Sequence, residues 1–132
     1  MKKKKKQIKS KPELVILDTF NSKTQQEAEK KTFNLIELAI TDISKLREFD
    51  CLFECTDKGF ANVLYQRLCV NHGYHAESPY YSEDVWIIHA IKMIVHSELA
   101  ETIKAARGIA AKYSCELIDW NIDVDIDPLK IN

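Results

Sequence analysis

The stretch LIDWNIDVDID, residues 117 to 127, sets Asp119, Asn121, Asp123, Asp125 and Asp127 two residues apart. Alternate carboxylates hold calcium when a loop wraps them around the ion, and meet a basic partner when a strand lines them along one face. Asp123, Asp125 and Asp127 resemble the start of an EF-hand loop, but Pro128 stands where that pattern wants glycine. Between the acids lie Ile118, Trp120, Ile122, Val124 and Ile126. This alternation reads as a strand with a packed side and a wet side. On one face of a strand neighbouring side chains are about 7 Å apart, too far for adjacent carboxylates to share an ion comfortably. The row is then either solvated polarity or a surface for Arg and Lys of a partner, and both readings stay open.

Other chemistry-bearing residues are fewer. Cys69, His72 and His75 in CVNHGYH have zinc-like spacing, but a structural site wants four ligands, and a helix ending at Gly73 would separate the two histidines. His89 lies mid-strand between Ile87 and Ile91 with no evident nucleophile beside it. With glycine only at positions 59, 73 and 108, the chain has no phosphate-binding glycine-rich loop. These residues point to no catalytic site, no metal and no cofactor.

The 132 residues suit one domain, with a basic disordered tail over 1 to 12 and a single folded unit over 13 to 132. Residues 1 to 11 contain seven lysines and no acid, leaving 12 Lys and Arg against 20 Asp and Glu, a balance of −8. An acidic body argues against a nucleic-acid-binding face and for a protein partner with basic patches. The apolar run Leu14 to Leu17 is too short for a signal peptide, and no window is long enough to span a bilayer, so a cytoplasmic protein with no membrane association is expected. Cys51, Cys55, Cys69 and Cys115 form no CxxC pair and are expected to be reduced, buried thiols.

These residues are positioned by a series of elements. LVILDTF, 14 to 20, fits a strand or a first helical turn. From about Thr24 to Leu46 a helical pattern runs, with Leu35 or Ile36, Ala39 or Ile40, Ile43 and Leu46 on one stripe. FDCLFEC, 49 to 55, alternates as a strand. Thr56 and Asp57 can cap a helix from Lys58 to His72 that Gly73 stops. A second strand starts at 74 to 78, Pro79 to Asp84 reads as a hairpin turn, and 85 to 95 as a long central strand, apolar on both faces. Ser97 is the expected N-cap of a helix whose stripe is Leu99, Ile103, Ala106, Ala110 and Tyr113. The order predicts an α+β chain of ferredoxin-like βαββαβ type: a four-stranded antiparallel sheet with two helices on one face, plus an extra N-terminal helix that can cover a sheet edge or part of the open face.

From about Asn34 to Val124 the chain resembles the regulator of ribonuclease E activity B family, small bacterial proteins. The family phrase "lGYEV" is similar to His72-Gly73-Tyr74-His75, and its strand containing "W" to Val85-Trp86-Ile87-Ile88. Its "a..ygGeYDGW" corresponds to the run from Ala110 to Trp120, where Glu116 and Trp120 match and Leu117, Ile118 and Asp119 stand in place of Tyr, Asp and Gly. The resemblance implies a ferredoxin-like core and a non-catalytic inhibitor that binds the degradosome endoribonuclease.

The leading expectation is a non-catalytic regulatory module that docks a protein partner with a basic surface through Asp119, Trp120, Asp123 and Asp125. Two alternatives are a small-molecule-binding or dimerising ferredoxin-like module, and an enzyme built on a pocket that joins His89 or His75 to a carboxylate. What covers the sheet face away from the helices decides among them.

Overall fold

The computed structural model describes residues 22–126. The expected basic tail, the run 14 to 20, and Asp127 and Pro128 lie outside them. Within them the chain is α+β: helix α1 (Ser22–Ala39), strand β1 (Arg47–Cys55), helix α2 (Lys58–Asn71), strands β2 (His75–Ala76), β3 (Tyr80–Ser82) and β4 (Val85–Ile94), helix α3 (Leu99–Lys112) and strand β5 (Cys115–Ile122). The strands form one open antiparallel sheet in the order β2-β4-β1-β5, with β3 also on the outer side of β4.

The pleat assigns each strand residue to a face. Phe49, Cys51, Phe53 and Cys55 of β1, with Ile88, Ala90 and Ile94 of β4, point to the side where the helices lie. There they meet Ala61, Leu64 and Leu68 of α2 and Leu99, Ile103, Ala106 and Ala110 of α3 in one apolar cluster. α1 joins the same side through Ile36 and Ala39, and its Phe33 stacks on Trp120 of β5 at 5.8 Å. All three helices therefore share one face. On the other face, Leu52 and Ile87 with Val85 and Ile118 form a small apolar centre among the described residues.

The sheet has five strands where four were expected. Tyr80–Ser82, read above as part of a turn, pairs with Ile87, Trp86 and Val85, because the hairpin turn is compressed into Glu83 and Asp84 at φ 51° and 73°. Two positive φ values form the two-residue connection whose twist suits a hairpin. α1 stops at Ala39, short of the expected Leu46, and Ile43 and Leu46 are exposed loop residues. Here Asp42 accepts hydrogen bonds from the backbone N–H and hydroxyl of Ser44 at 3.0 and 2.8 Å, a local turn that competes with helix.

Asp57 caps α2 as expected, accepting from the Phe60 N–H at 2.9 Å, and Gly73 follows the helix at φ 75°. Ser97 is not the cap of α3. It sits in a short 3-10 turn, His96–Glu98, where Glu98 accepts the Val95 N–H at 3.1 Å. β5 ends at Ile122 rather than at 127, and its pairing slips between Leu52 and Phe53, so that Asp119 faces Leu52 and Leu117 faces Phe53. The residue left over is Ile118, a bulge that moves it to the apolar centre of the open face and puts Leu117 into the core in its place.

The expectation of four free thiols is also corrected. Cys55 and Cys115 lie directly opposite each other on β1 and β5, 4.5 Å apart at Cα, and are joined by a disulfide; Cys51 and Cys69 are free. Facing residues at a non-hydrogen-bonded pair come this close, so strand register alone brings the two sulfurs within bonding reach. The bridge closes a 60-residue separation, which by chain entropy contributes about 4 kcal/mol.

Two outcomes test this description. Denatured, unreduced protein should titrate two thiols and reduced protein four, and four thiols without reductant would remove the bridge. Gly108 is exposed inside α3, and a Cβ there meets nothing within 4 Å, so Gly108→Ala should raise stability by about 1 kcal/mol in a urea melt. A lower urea midpoint would contradict the open surroundings assigned to it.

Candidate functional site

The open face is built by the residues of β1 and β5 that alternate with the buried ones. On β1 these are Glu48, Asp50, Leu52 and Glu54; the register sets Asn121 opposite Asp50, Asp119 opposite Leu52, and Glu116 opposite Glu54. Asp123 continues the row, its N–H donating to the Glu48 carbonyl at 3.1 Å. On the other flank β4 adds Ile87, His89, Ile91 and Met93. The result is a small apolar centre beside two columns rich in carboxylates. Arg47 and Lys92 have the opposite pleat parity, so no Lys or Arg among the described residues of β1, β4 and β5 belongs to this face.

Two polar groups on this face are deeply buried. Asp50 is 1 % exposed, with His89 Nε2 at 3.7 Å from its carboxylate. Asn121 is 5 % exposed, and among the described residues neither its amide nitrogen nor its amide oxygen has a hydrogen-bond partner. Buried amides are normally satisfied, and an orphaned pair costs on the order of 1–3 kcal/mol.

The four residues expected to bind a partner are separated by the structure. Trp120 is 4 % exposed and belongs to the core: it stacks between Phe33 and Phe49 at 5.8 and 6.2 Å, and its indole N–H donates to Glu29 at 3.1 Å. Burial raises the pKa of Glu29, but hydrogen bonds from Arg107 and Trp120 and the Arg107 charge together outweigh it, and the net shift is downward. Asp119 is on the open face, and one of its oxygens accepts the Trp120 N–H at 2.9 Å. Asp123 lies half-buried at the end of the same row.

Asp125 does something else. Past the end of β5 the chain turns back to the end of α1, where the N–H groups of Asp125 and Ile126 both donate to the Ala39 carbonyl. The Asp125 carboxylate accepts from Arg47 at 2.8 and 3.1 Å, from the Thr41 N–H and hydroxyl at 2.7 and 3.0 Å, and from Lys45 at 3.3 Å. Those oxygens are turned inward, so Asp125 is a structural clasp. The Arg47 hydrogen bonds, then those from Thr41, hold its carboxyl well below the usual carboxylate range.

A shallow cavity of about 330 Å³ opens at the other flank, lined by Glu48, Gly73, His75, Ile91, Lys92 and Met93. It joins a histidine and a carboxylate, but none of its lining residues is a serine, threonine or cysteine nucleophile. His75, on β2, pairs with Ile91 of β4, whereas His72 ends α2, where burial and then the charges of Lys92 and Lys112 lower its pKa. Cys51 is fully buried, and burial raises its thiol well above the usual value, which leaves it unreactive. Among the described residues no three His, Cys, Asp or Glu side chains converge as metal ligands would.

The acids of β1 were not singled out from sequence, although Glu48, Asp50 and Glu54 alternate with Phe49, Phe53 and Cys55 in plain view. What hid them is that the two acidic strands are far apart in sequence and become neighbours only by pairing. No protein-family model matches the chain, and no curated protein matches it in sequence. No described helix is long and apolar enough to cross a membrane.

The Arg47–Asp125 pair makes a pH prediction. A carboxyl whose folded pKa lies below its unfolded value near 4 contributes stability above that value and loses it as pH falls. Asp125→Asn should therefore cost about 3 kcal/mol at pH 7, because it leaves the buried guanidinium without its charge partner. In urea melts the gap between the two proteins should shrink from pH 5 to pH 2. An unchanged gap would show that Asp125 is not the group that titrates.

Proposed function

We propose that this chain is a non-catalytic regulatory module that takes a basic segment of a protein partner on the open face of its sheet. The observation that carries this reading is the register that sets Glu48, Glu54, Glu116 and Asp119 on one face with no described strand Lys or Arg among them. A row of carboxylates gathered on one face would steer the approach of a basic ligand and orient it. Of the four residues expected from sequence, Asp119 and Asp123 stay in the proposed surface; Trp120 and Asp125 support it from below and from its end.

A ferredoxin-like reading of the fold belongs to this proposal. It is supported by the order β2-β4-β1-β5 with α2 and α3 as crossovers on one side, α1 and β3 being additions. The family resemblance supplies the candidate partner, the endoribonuclease of a bacterial degradosome, and with it a cytoplasmic setting. The Cys55–Cys115 bridge weighs the other way, since structural disulfides are rare in reducing compartments, and the thiol count of protein from cells decides the point. The mixed charges of the cavity, Glu48 against Lys92 and His75, favour a second reading in which the module binds a small zwitterionic metabolite. A melting temperature indifferent to such metabolites would remove it.

The docking reading is tested with fluorescein-labelled decalysine and the full chain. Binding should weaken steeply with salt, and Glu54→Lys combined with Glu116→Lys should reduce affinity about tenfold or more, the loss of one to two close charge pairs. Binding that ignores both salt and charge reversal would overturn the reading. Addition of the chain to RNA cleavage by the degradosome endoribonuclease should slow it, and full-rate cleavage with excess protein would exclude that partner.

A further inference from the structure

Asp50, Leu52, Ile87 and Asn121 are each between 1 and 5 % exposed, yet no described helix or strand lies over them. All three helices pack on the opposite side. The Asn121 carboxamide, buried on this face, has a donor and an acceptor without partners among the described residues. A carboxamide offered in this way matches the N–H and C=O of an extended backbone, which is how a peptide segment would present itself.

The chain holds one segment with the matching chemistry. Residues 1–11 contain seven lysines and no acid, and Leu14 to Leu17 follow as an apolar run. The face offers the complement of both, the carboxylates of Glu48, Asp50, Glu54 and Asp119 around the apolar centre of Leu52 and Ile87. Length and position also permit the contact. α1, the element this segment leads into, packs against Trp120 of β5, which is an edge strand. Turning round that edge requires crossing a sheet of four strand columns, roughly 15 Å, whereas the chain preceding Ser22 reaches roughly 70 Å when extended.

We propose that residues 1–20 dock on the acidic sheet face of their own chain, the lysines against its carboxylates and Leu14 to Leu17 on Leu52 and Ile87, and so compete with the basic partner. The inference rests on the docking reading and adds regulation to the same surface. A tethered segment acts at an effective concentration on the order of millimolar, enough to mask the face from weak basic ligands while yielding to a strong one.

Two measurements on the full chain test it. Replacing all seven lysines of residues 1–11 by serine should tighten decalysine binding about tenfold or more, because the internal competitor is gone. Equal affinity in the two proteins would overturn the inference and leave the docking reading standing. No binding to either protein would overturn the docking reading itself, and the inference with it. Zero-length carbodiimide coupling should join residues 1–11 to peptides carrying Glu48, Glu54, Glu116 or Asp119 within one chain, and high salt should abolish the products. Coupling confined to helix-side acids such as Glu37 or Glu101, or no coupling at low salt, would also overturn the inference.

Discussion

A guanidinium without solvent contact must find a carboxylate, and Arg47, fully buried at the start of β1, finds Asp125, 78 residues away. Desolvating that charge is costly, and the cost is offset only when the geometry is complete. Completion requires the end of α1, the start of β1 and the chain after β5 to meet at one point. The same carboxylate accepts from Thr41, and the Ala39 carbonyl receives the backbone N–H groups of Asp125 and Ile126. One ion pair thereby ends the first helix, begins the first strand and terminates the last. The guanidinium Nε has no hydrogen-bond partner among the described residues.

The second constraint is Trp120. Its ring between Phe33 and Phe49, with its N–H on Glu29, draws α1 to the side already occupied by α2 and α3. Arg107 of α3 grips the same Glu29 through both guanidinium nitrogens at 2.6 and 3.1 Å, which fixes the two helices to each other. A helix so anchored cannot lie across the other face. The asymmetry of the molecule, three helices on one side and acids on the other, follows from this aromatic stack.

The two acidic strands are also joined covalently. Glu54 stands opposite Glu116, and the next pair along the strands is Cys55 with Cys115, held by the disulfide. A bulge at Ile118 lies close by, and it lets a strand with one packed side feed both the core, through Leu117, and the open face, through Ile118.

The sequence by itself determined most of the elements and their order. Alternation in FDCLFEC, the cap at Asp57, the stop at Gly73 and the stripe Leu99, Ile103, Ala106, Ala110 are local effects of pleat, helix period and backbone sterics, and each is legible within a few residues. It determined equally that a strand alternating acids with aliphatics follows the last helix. Which acids do what was decided only by tertiary structure. Asp125 reads like Asp119 in the sequence, but a buried arginine claims its carboxylate, while Asp119 is left on the open face. Register slip moved Ile118 to that face, and strand pairing put Cys55 beside Cys115 and the β1 acids beside those of β5. These outcomes depend on which distant strands become neighbours, and no periodicity within a single segment carries that information.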